Sequence, residues 1–248
     1  MADVTVFPSS PALGAAAADR AVDVIDSAIQ KRGRARIMVG TGNSQDHVID
    51  SLVLRRDVDW SKVEVFHMDE YIGISPDHPA SFRRWLRARV AEKLTLAQVH
   101  YMEGDASDIA GEIIRYTRLL LSSPLDLVFV GFGENGHIAF NDPPTALFED
   151  PATVKVVTLD EGCRRQQVGE GHFNDIDSMP KQAVTVTCSG LFRAAQWICV
   201  VPDRRKAQAV RNALLGPIST ACPASLVRRH PSAVVYLDPD SASLLDLA

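Results

Sequence analysis

The sequence predicts an α/β protein of one domain, residues 1–248, with a doubly wound, mostly parallel sheet flanked by helices in a Rossmann-like arrangement. Short apolar runs alternate with longer amphipathic stretches along most of the chain, the rhythm of strand–helix–strand units. The run 126–131 is apolar throughout its middle, as expected of a strand buried on both faces. No Pro/Gly/Ser linker, charge block or internal repeat breaks the alternation, hence one domain.

Residues 9–32 read as a helix, because Ala16, Ala17, Val22, Val24, Ile25 and Ile29 recur on one face, with Pro11 near the start and Gly33 after the end. Residues 36–39 are too short for a helix and read as a strand. A helix over 44–55, a strand over 63–68 and helices over 79–93 and 106–121 follow, then the strand over 126–131. Four more strands are expected over 154–159, 183–187, 197–201 and 233–237, with helices over 204–214 and 238–245. In such a sheet, ligands bind outside the carboxyl ends of the strands.

Composition narrows the function. With 248 residues and 46% hydrophobic content the chain can bury a sizeable core. Its 26 Lys+Arg against 31 Asp+Glu, net −5, argue against a broad basic surface for nucleic acid. Cys163, Cys188, Cys199 and Cys222 form no CxxC pair and match no zinc module, so buried reduced thiols are expected. The alanines at 15–18 are bounded by Asp19 and Arg20, unlike a signal peptide, and no apolar run approaches the roughly 18 residues that span a bilayer. A cytoplasmic address is expected, with no membrane or nucleic-acid partner.

Three stretches at strand ends carry chemistry. Gly40-Thr41-Gly42-Asn43-Ser44 lies between a strand and a helix; its glycines, its hydroxyls and the helix N-terminus suit an anion, although an ordinary strand–helix turn has the same composition. His67-Met68-Asp69-Glu70-Tyr71, followed by His78-Pro79-Ala80-Ser81-Phe82, places two carboxylates and two histidines at the end of an apolar strand. Alternation lets only one of Asp69 and Glu70 face a given pocket; capping and solvation are the structural alternative for the pair. The third stretch is Gly131-Phe132-Gly133-Glu134-Asn135-Gly136-His137, continuing to Asp142. There a carboxylate five residues beyond His137 is near enough to fix an imidazole tautomer for acid–base work.

Met68-Asp69-Glu70-Tyr71, His78-Pro79-x-Ser81-Phe82 and Gly136-His137-Ile138-Ala139-Phe140-Asn141-Asp142 together resemble the glucosamine-6-phosphate deaminase (isomerase) family, whose superfamily includes 6-phosphogluconolactonase. The resemblance runs on through 179–186, 203–207 and 230–238, in matching order over most of the chain. It implies conversion of glucosamine 6-phosphate and water to fructose 6-phosphate and ammonium, with no metal or redox cofactor. It also implies that Asp69 is the general base between C2 and C1, that His137 helps open the pyranose ring, and that Asp142 pairs with His137. Residues 40–44 match the phosphate loop and Lys206 a phosphate-binding lysine; Glu70 joins the expected substrate contacts.

Where deaminases of this kind carry an aspartate, this chain has Asn135, which can orient His137 but holds no proton or charge. Asp142 is one methylene shorter than the family's glutamate, and Asn43 replaces a glycine of the phosphate loop. The family's phosphate-binding arginine has Arg164, Arg165 and His172 as candidate counterparts. The galacto isomer, a phosphogluconolactone and non-catalytic phosphosugar sensing are the alternative readings. Monomers and hexamers both occur among such relatives, so a homo-oligomer is an open expectation. Arg83, Arg84, Arg87 and Arg89 are expected on a solvated helix face, and Trp60, Trp85 and Trp197 in packing.

Overall fold

The computed structural model describes residues 3–143, 145–171 and 173–245. In chain order its elements are β1 (Asp3–Val6), α1 (Ser10–Arg32), β2 (Ala35–Val39), α2 (Asp46–Leu52), β3 (Val63–His67), β4 (Asp69–Tyr71), α3 (Phe82–Leu86), β5 (Gln98–His100), α4 (Ile109–Leu121), β6 (Leu127–Val130), β7 (Val154–Thr158), α5 (Glu161–Gly169), β8 (Gln182–Val186), α6 (Cys188–Phe192), β9 (Gln196–Val201), α7 (Ala207–Leu215) and β10 (Ala233–Leu237). Helix α1 keeps Pro11 in its first turn and Gly33 at its end, as read from the sequence, and Ser9 adds a cap. The Ser9 hydroxyl accepts the Ala12 N–H at 3.3 Å, and Gly33, at φ 75°, donates its N–H to Ile29.

Among the described residues, seven strands form one sheet in the order β1-β10-β9-β6-β2-β3-β5, with every neighbouring pair parallel. The central strands are buried on both faces, and their residues alternate between two cores. Ile37, Val39, Leu127, Phe129, Ile198 and Val200 pack with α1 and α2. Met38, Val128, Val130, Trp197, Cys199 and Val201 pack on the other side with Tyr116 of α4, Leu191 of α6 and Val210 of α7. The doubly wound α/β/α layering expected from the sequence is therefore present.

The single-sheet expectation needs one correction. β4, β8 and β7 leave the main sheet and pair antiparallel with one another. This small sheet covers a third core that includes Tyr71, Phe82, Phe140, Phe173 and Met179. The apolar run 63–68 thus ends at His67, and the chain changes sheet at Met68, whose carbonyl accepts the Val186 N–H at 2.8 Å. Residues 238–245 form turns instead of a helix, pinned by the Asp238 carboxylate on the Ser241 N–H. The stretch 79–93 is a short α3 continued by a π-helical turn over Arg87–Ala91. β1, β4, β5, α5 and α6 are additional to the expected elements.

Candidate active site

The parallel sheet dictates where a ligand fits. β2 and β6 lie side by side, but from β2 the chain builds β3 and β5 on one side, and from β6 it builds β9 and β10 on the other. Loops leaving β2 and β6 diverge at this switch point and open a crevice at the carboxyl ends of the strands. One cavity there is lined by residues 40–45 after β2, by Met68 and Asp69 after β3, by Gly131–Gly133 with His137 after β6, and by Pro202, Asp203, Arg205 and Lys206 after β9. The loops meet closely: a Cβ on Gly131 would lie 2.9 Å from the Ser44 hydroxyl, which would have to move to make room.

Gly40, Thr41, Gly42, Asn43 and Ser44 all line the cavity. The Thr41 hydroxyl is buried and has no hydrogen-bond partner among the described residues, which is costly unless a ligand supplies one. Arg205 and Lys206 line the same cavity. The Lys206 ammonium, almost wholly buried, sits 3.4 Å from the Glu170 carboxylate, which also lines the cavity. The Arg205 guanidinium is held by Asp203 at 2.8 Å, and that pairing raises its pKa.

Asp69 and His137 open onto this one cavity. The Asp69 carboxyl is buried, and its pKa stands well above the ordinary carboxylate range, through desolvation first and the charge of Glu70 second. His67 fixes the turn before it: its Nδ1–H donates to the Asp69 carbonyl at 2.9 Å, and its Nε2 accepts the Met102 N–H at 2.8 Å. With both ring nitrogens so used, His67 is a neutral structural histidine, and burial takes its pKa down to about 3.

His137 lies against Gly133, where a Cβ would overlap the imidazole ring. Its Nδ1 is 3.1 Å from the Asp142 Oδ1, an ion-pair approach at an angle poorer than that of a good hydrogen bond. Asn135 braces both: its Oδ1 accepts the His137 N–H and its Nδ2 donates to Asp142 Oδ1, each at 3.0 Å. Burial works against ionisation of Asp142, but His137, Asn135 and the Asp160 N–H outweigh it and hold its pKa below the usual value. Strain gathers at the same place. Among the described residues the non-glycines with positive φ are Ala139 (49°) and Asp203 (86°), and both line the cavity.

The expected site residues divide accordingly. Gly40, Thr41, Gly42, Asn43, Ser44, Asp69, His137 and Lys206 share the cavity, with Asn135 and Asp142 directly behind His137. Glu70 is a correction, because it faces away. Its carboxylate accepts the Ser81 hydroxyl at 2.8 Å and the N–H groups of Tyr71, Phe82 and Arg83, fastening β4 to the start of α3. Arg165 is another: its side chain is 73% exposed and pairs with Glu161 on the surface of α5, one helical turn away. Arg164 bonds the Met179 carbonyl instead of entering the cavity, and His172 lies outside the described residues. Arg83, expected in solvent, is buried between Glu70 and Asp105. Gln45, Gln166, Gln167, Glu170, Asp203 and Arg205 are polar cavity residues that sequence reasoning missed; Arg205 stands beside Lys206 in the Asp203-Arg204-Arg205-Lys206 stretch, and that adjacency was its one signal.

The family model described as "Glucosamine-6-phosphate isomerases/6-phosphogluconolactonase" matches residues 8–236. The chain belongs to this family. It is 32% identical to a glucosamine-6-phosphate deaminase of Arthrobacter sp. over 99% of this chain and 94% of that protein. It is 30% identical to one of Listeria innocua over 93% of this chain and 96% of the relative. A solved structure of a monomeric glucosamine-6-phosphate deaminase superposes with a TM-score of 0.90 at 28% identity, covering 98% of this chain and 99% of that one. The 6-phosphogluconolactonase of Trypanosoma brucei, at 18% identity and a TM-score of 0.79 over 99% of each chain, shares the fold. Within the family fold the cavity stands at the switch point, and among the described residues no helix is long and apolar enough to cross a membrane.

Proposed function

We propose that this chain is an amino-sugar-phosphate isomerase–deaminase that converts glucosamine 6-phosphate and water to fructose 6-phosphate and ammonium. One observation carries the reading: a buried carboxylate (Asp69) and an imidazole (His137) share a cavity with a hydroxyl that has no partner among the described residues and with two cations. A hexose 6-phosphate needs both ends at once, an anion-holding wall and proton-moving groups at the sugar's reducing end.

In this reading the phosphate sits among residues 41–44, Arg205 and Lys206, displacing the Glu170 carboxylate from its contact with Lys206. His137, oriented by Asp142 and Asn135, delivers a proton to the ring oxygen and opens the pyranose. Asp69 then takes the proton from C2 and returns it at C1, passing through an enolamine. The resulting C2 imine adds water and releases ammonia, giving the ketose. The raised pKa of Asp69 makes its carboxylate a stronger base once ionised, and a substrate ammonium beside it favours that ionised form. Asp142, held ionised, keeps its charge while His137 gains and loses a proton.

The four cysteines are free and buried, which supports the reducing, cytoplasmic compartment this reading assumes. The deciding experiment offers the purified protein glucosamine 6-phosphate, galactosamine 6-phosphate and 6-phosphogluconolactone, following ammonium and lactone. Ammonium from glucosamine 6-phosphate is the expected result. Ammonium from the galacto isomer alone reassigns the sugar, lactone loss alone reassigns the reaction, and binding without turnover makes the chain a sensor.

A further inference from the structure

Behind the catalytic imidazole lies a group of side chains that the proposed reaction does not use as a set. An imidazole nitrogen of His137, a carboxylate oxygen of Asp142 and the Cys163 thiol sulfur all lie within 4.8 Å of one another, and all three residues are buried. His137 and Asp142 come from the loop after β6. Cys163 comes from the first turn of α5, whose start is tied to the same carboxylate by the Asp160 N–H donating to Asp142 Oδ2 at 3.3 Å.

We infer that His137, Asp142 and Cys163 form an inhibitory site for a thiophilic divalent cation, zinc being the class that a nitrogen, an oxygen and a sulfur ligand together select. Three features support it. The His137 Nδ1 is a buried polar atom with no proper hydrogen bond among the described residues, on a residue only 8% exposed, and it lies 3.1 Å from Asp142 Oδ1. Its 3.1 Å separation from Asp142 Oδ1 is close to the roughly 3.4 Å between two ligands on one tetrahedral zinc. The carboxylates of Asp142, Asp69 and Asp160 all bear on the Cys163 thiol, and such a field favours a cation.

Binding would release one proton, as the thiol becomes a thiolate ligand, while neutral imidazole and carboxylate bind without further change. Of the three residues His137 alone lines the cavity, so a bound metal would act on the reaction through that imidazole. Metal on Nδ1 and Oδ1 takes away the carboxylate that orients the imidazole and stops proton delivery. Inhibition as a readout rests on the proposed function; metal binding does not.

Full-length protein titrated with Co2+ is expected to develop a sulfur-to-cobalt charge-transfer absorption that Cys163→Ser abolishes. Zn2+ is expected to inhibit turnover reversibly, EDTA restoring it. Cys163→Ser is expected to keep basal kcat within about two-fold, since a buried thiol of this kind is chemically inert, and to need at least about ten-fold more Zn2+ for half inhibition. Cys163→Ala serves in its place if the serine variant does not fold. A wild-type Co2+ spectrum without the sulfur band, or Zn2+ inhibition unchanged in the cysteine variants, overturns the site. If no sugar phosphate is turned over, the Co2+ spectrum alone still decides it.

Discussion

Asp69 and Glu70 are consecutive residues on β4 whose carboxylates serve opposite sides of the strand. That of Asp69 opens onto the cavity, and that of Glu70 is buried under α3, accepting four hydrogen bonds. The pleat separates them, yet the Glu70 charge still helps keep the Asp69 carboxyl protonated. The division separates chemistry from architecture within one dipeptide.

Asp69→Asn is expected to lower kcat by about 10²–10⁴ while leaving KM for the phosphosugar nearly unchanged. The same variant should be more stable than the parent at neutral pH. A carboxyl whose folded pKa is raised stabilises the fold while protonated, and that contribution disappears as pH climbs through the folded pKa. The amide has no charge to bury, so its advantage should appear at neutral pH and vanish below the ordinary carboxylate range. Each kcal/mol recovered raises Tm by about 2–4 °C for a chain of this size. Thermal melts of both proteins at neutral and acid pH check this; equal Tm values at neutral pH refute the burial argument.

Asn135→Asp installs the aspartate that the family resemblance leads one to expect, yet activity is expected to fall, by about one to two orders of magnitude in kcat. The amide donates to Asp142 at 3.0 Å, and a second carboxylate there cannot ionise alongside the first without strong repulsion. Asp142 would lose its lowered pKa, so the acid limb of the pH–rate profile should move to higher pH. A profile of unchanged shape would show that Asp142 does not govern His137.

For Lys206→Ala the expectation is a rise in KM of about 10- to 100-fold with little change in kcat, the size of one charge-assisted contact to phosphate. Competitive inhibition by inorganic phosphate should weaken in parallel. Steady-state kinetics with and without phosphate measure both, and an unaltered KM removes Lys206 from the binding wall.

Gly133→Ala tests the seat of the imidazole. The added methyl group overlaps the His137 ring, so kcat should drop while circular dichroism and KM stay close to the parent. Full activity in this variant would mean that the ring position observed here is not the working one.

Much of the fold is legible in the chain because local physics sets it. The helix over 9–32 carries its own cap signals at Ser9 and Gly33, and the central strands read as apolar runs because parallel strands are buried on both faces. Motif positions along the sequence also name Asp69, His137, Asp142, Lys206 and the 40–44 loop, and alternation already requires that Asp69 and Glu70 part company. Which of the two faces the cavity is decided by β8, since antiparallel pairing of Asp69 with Thr185 turns β4 out of the main sheet. Short strands such as β4 and β7 read alike in parallel and antiparallel pairing, because an apolar run does not specify its neighbour. Arg165 and Arg205 make the same point for charge: both are arginines near expected site residues, and only chain packing sends one to the surface of α5 and the other into the cavity after β9. The sequence by itself determined the layers, the loops and the chemical groups available. Tertiary structure alone determined which groups share a cavity, because that depends on contacts between residues far apart in the chain, such as Gly131 against Ser44, which no local pattern encodes.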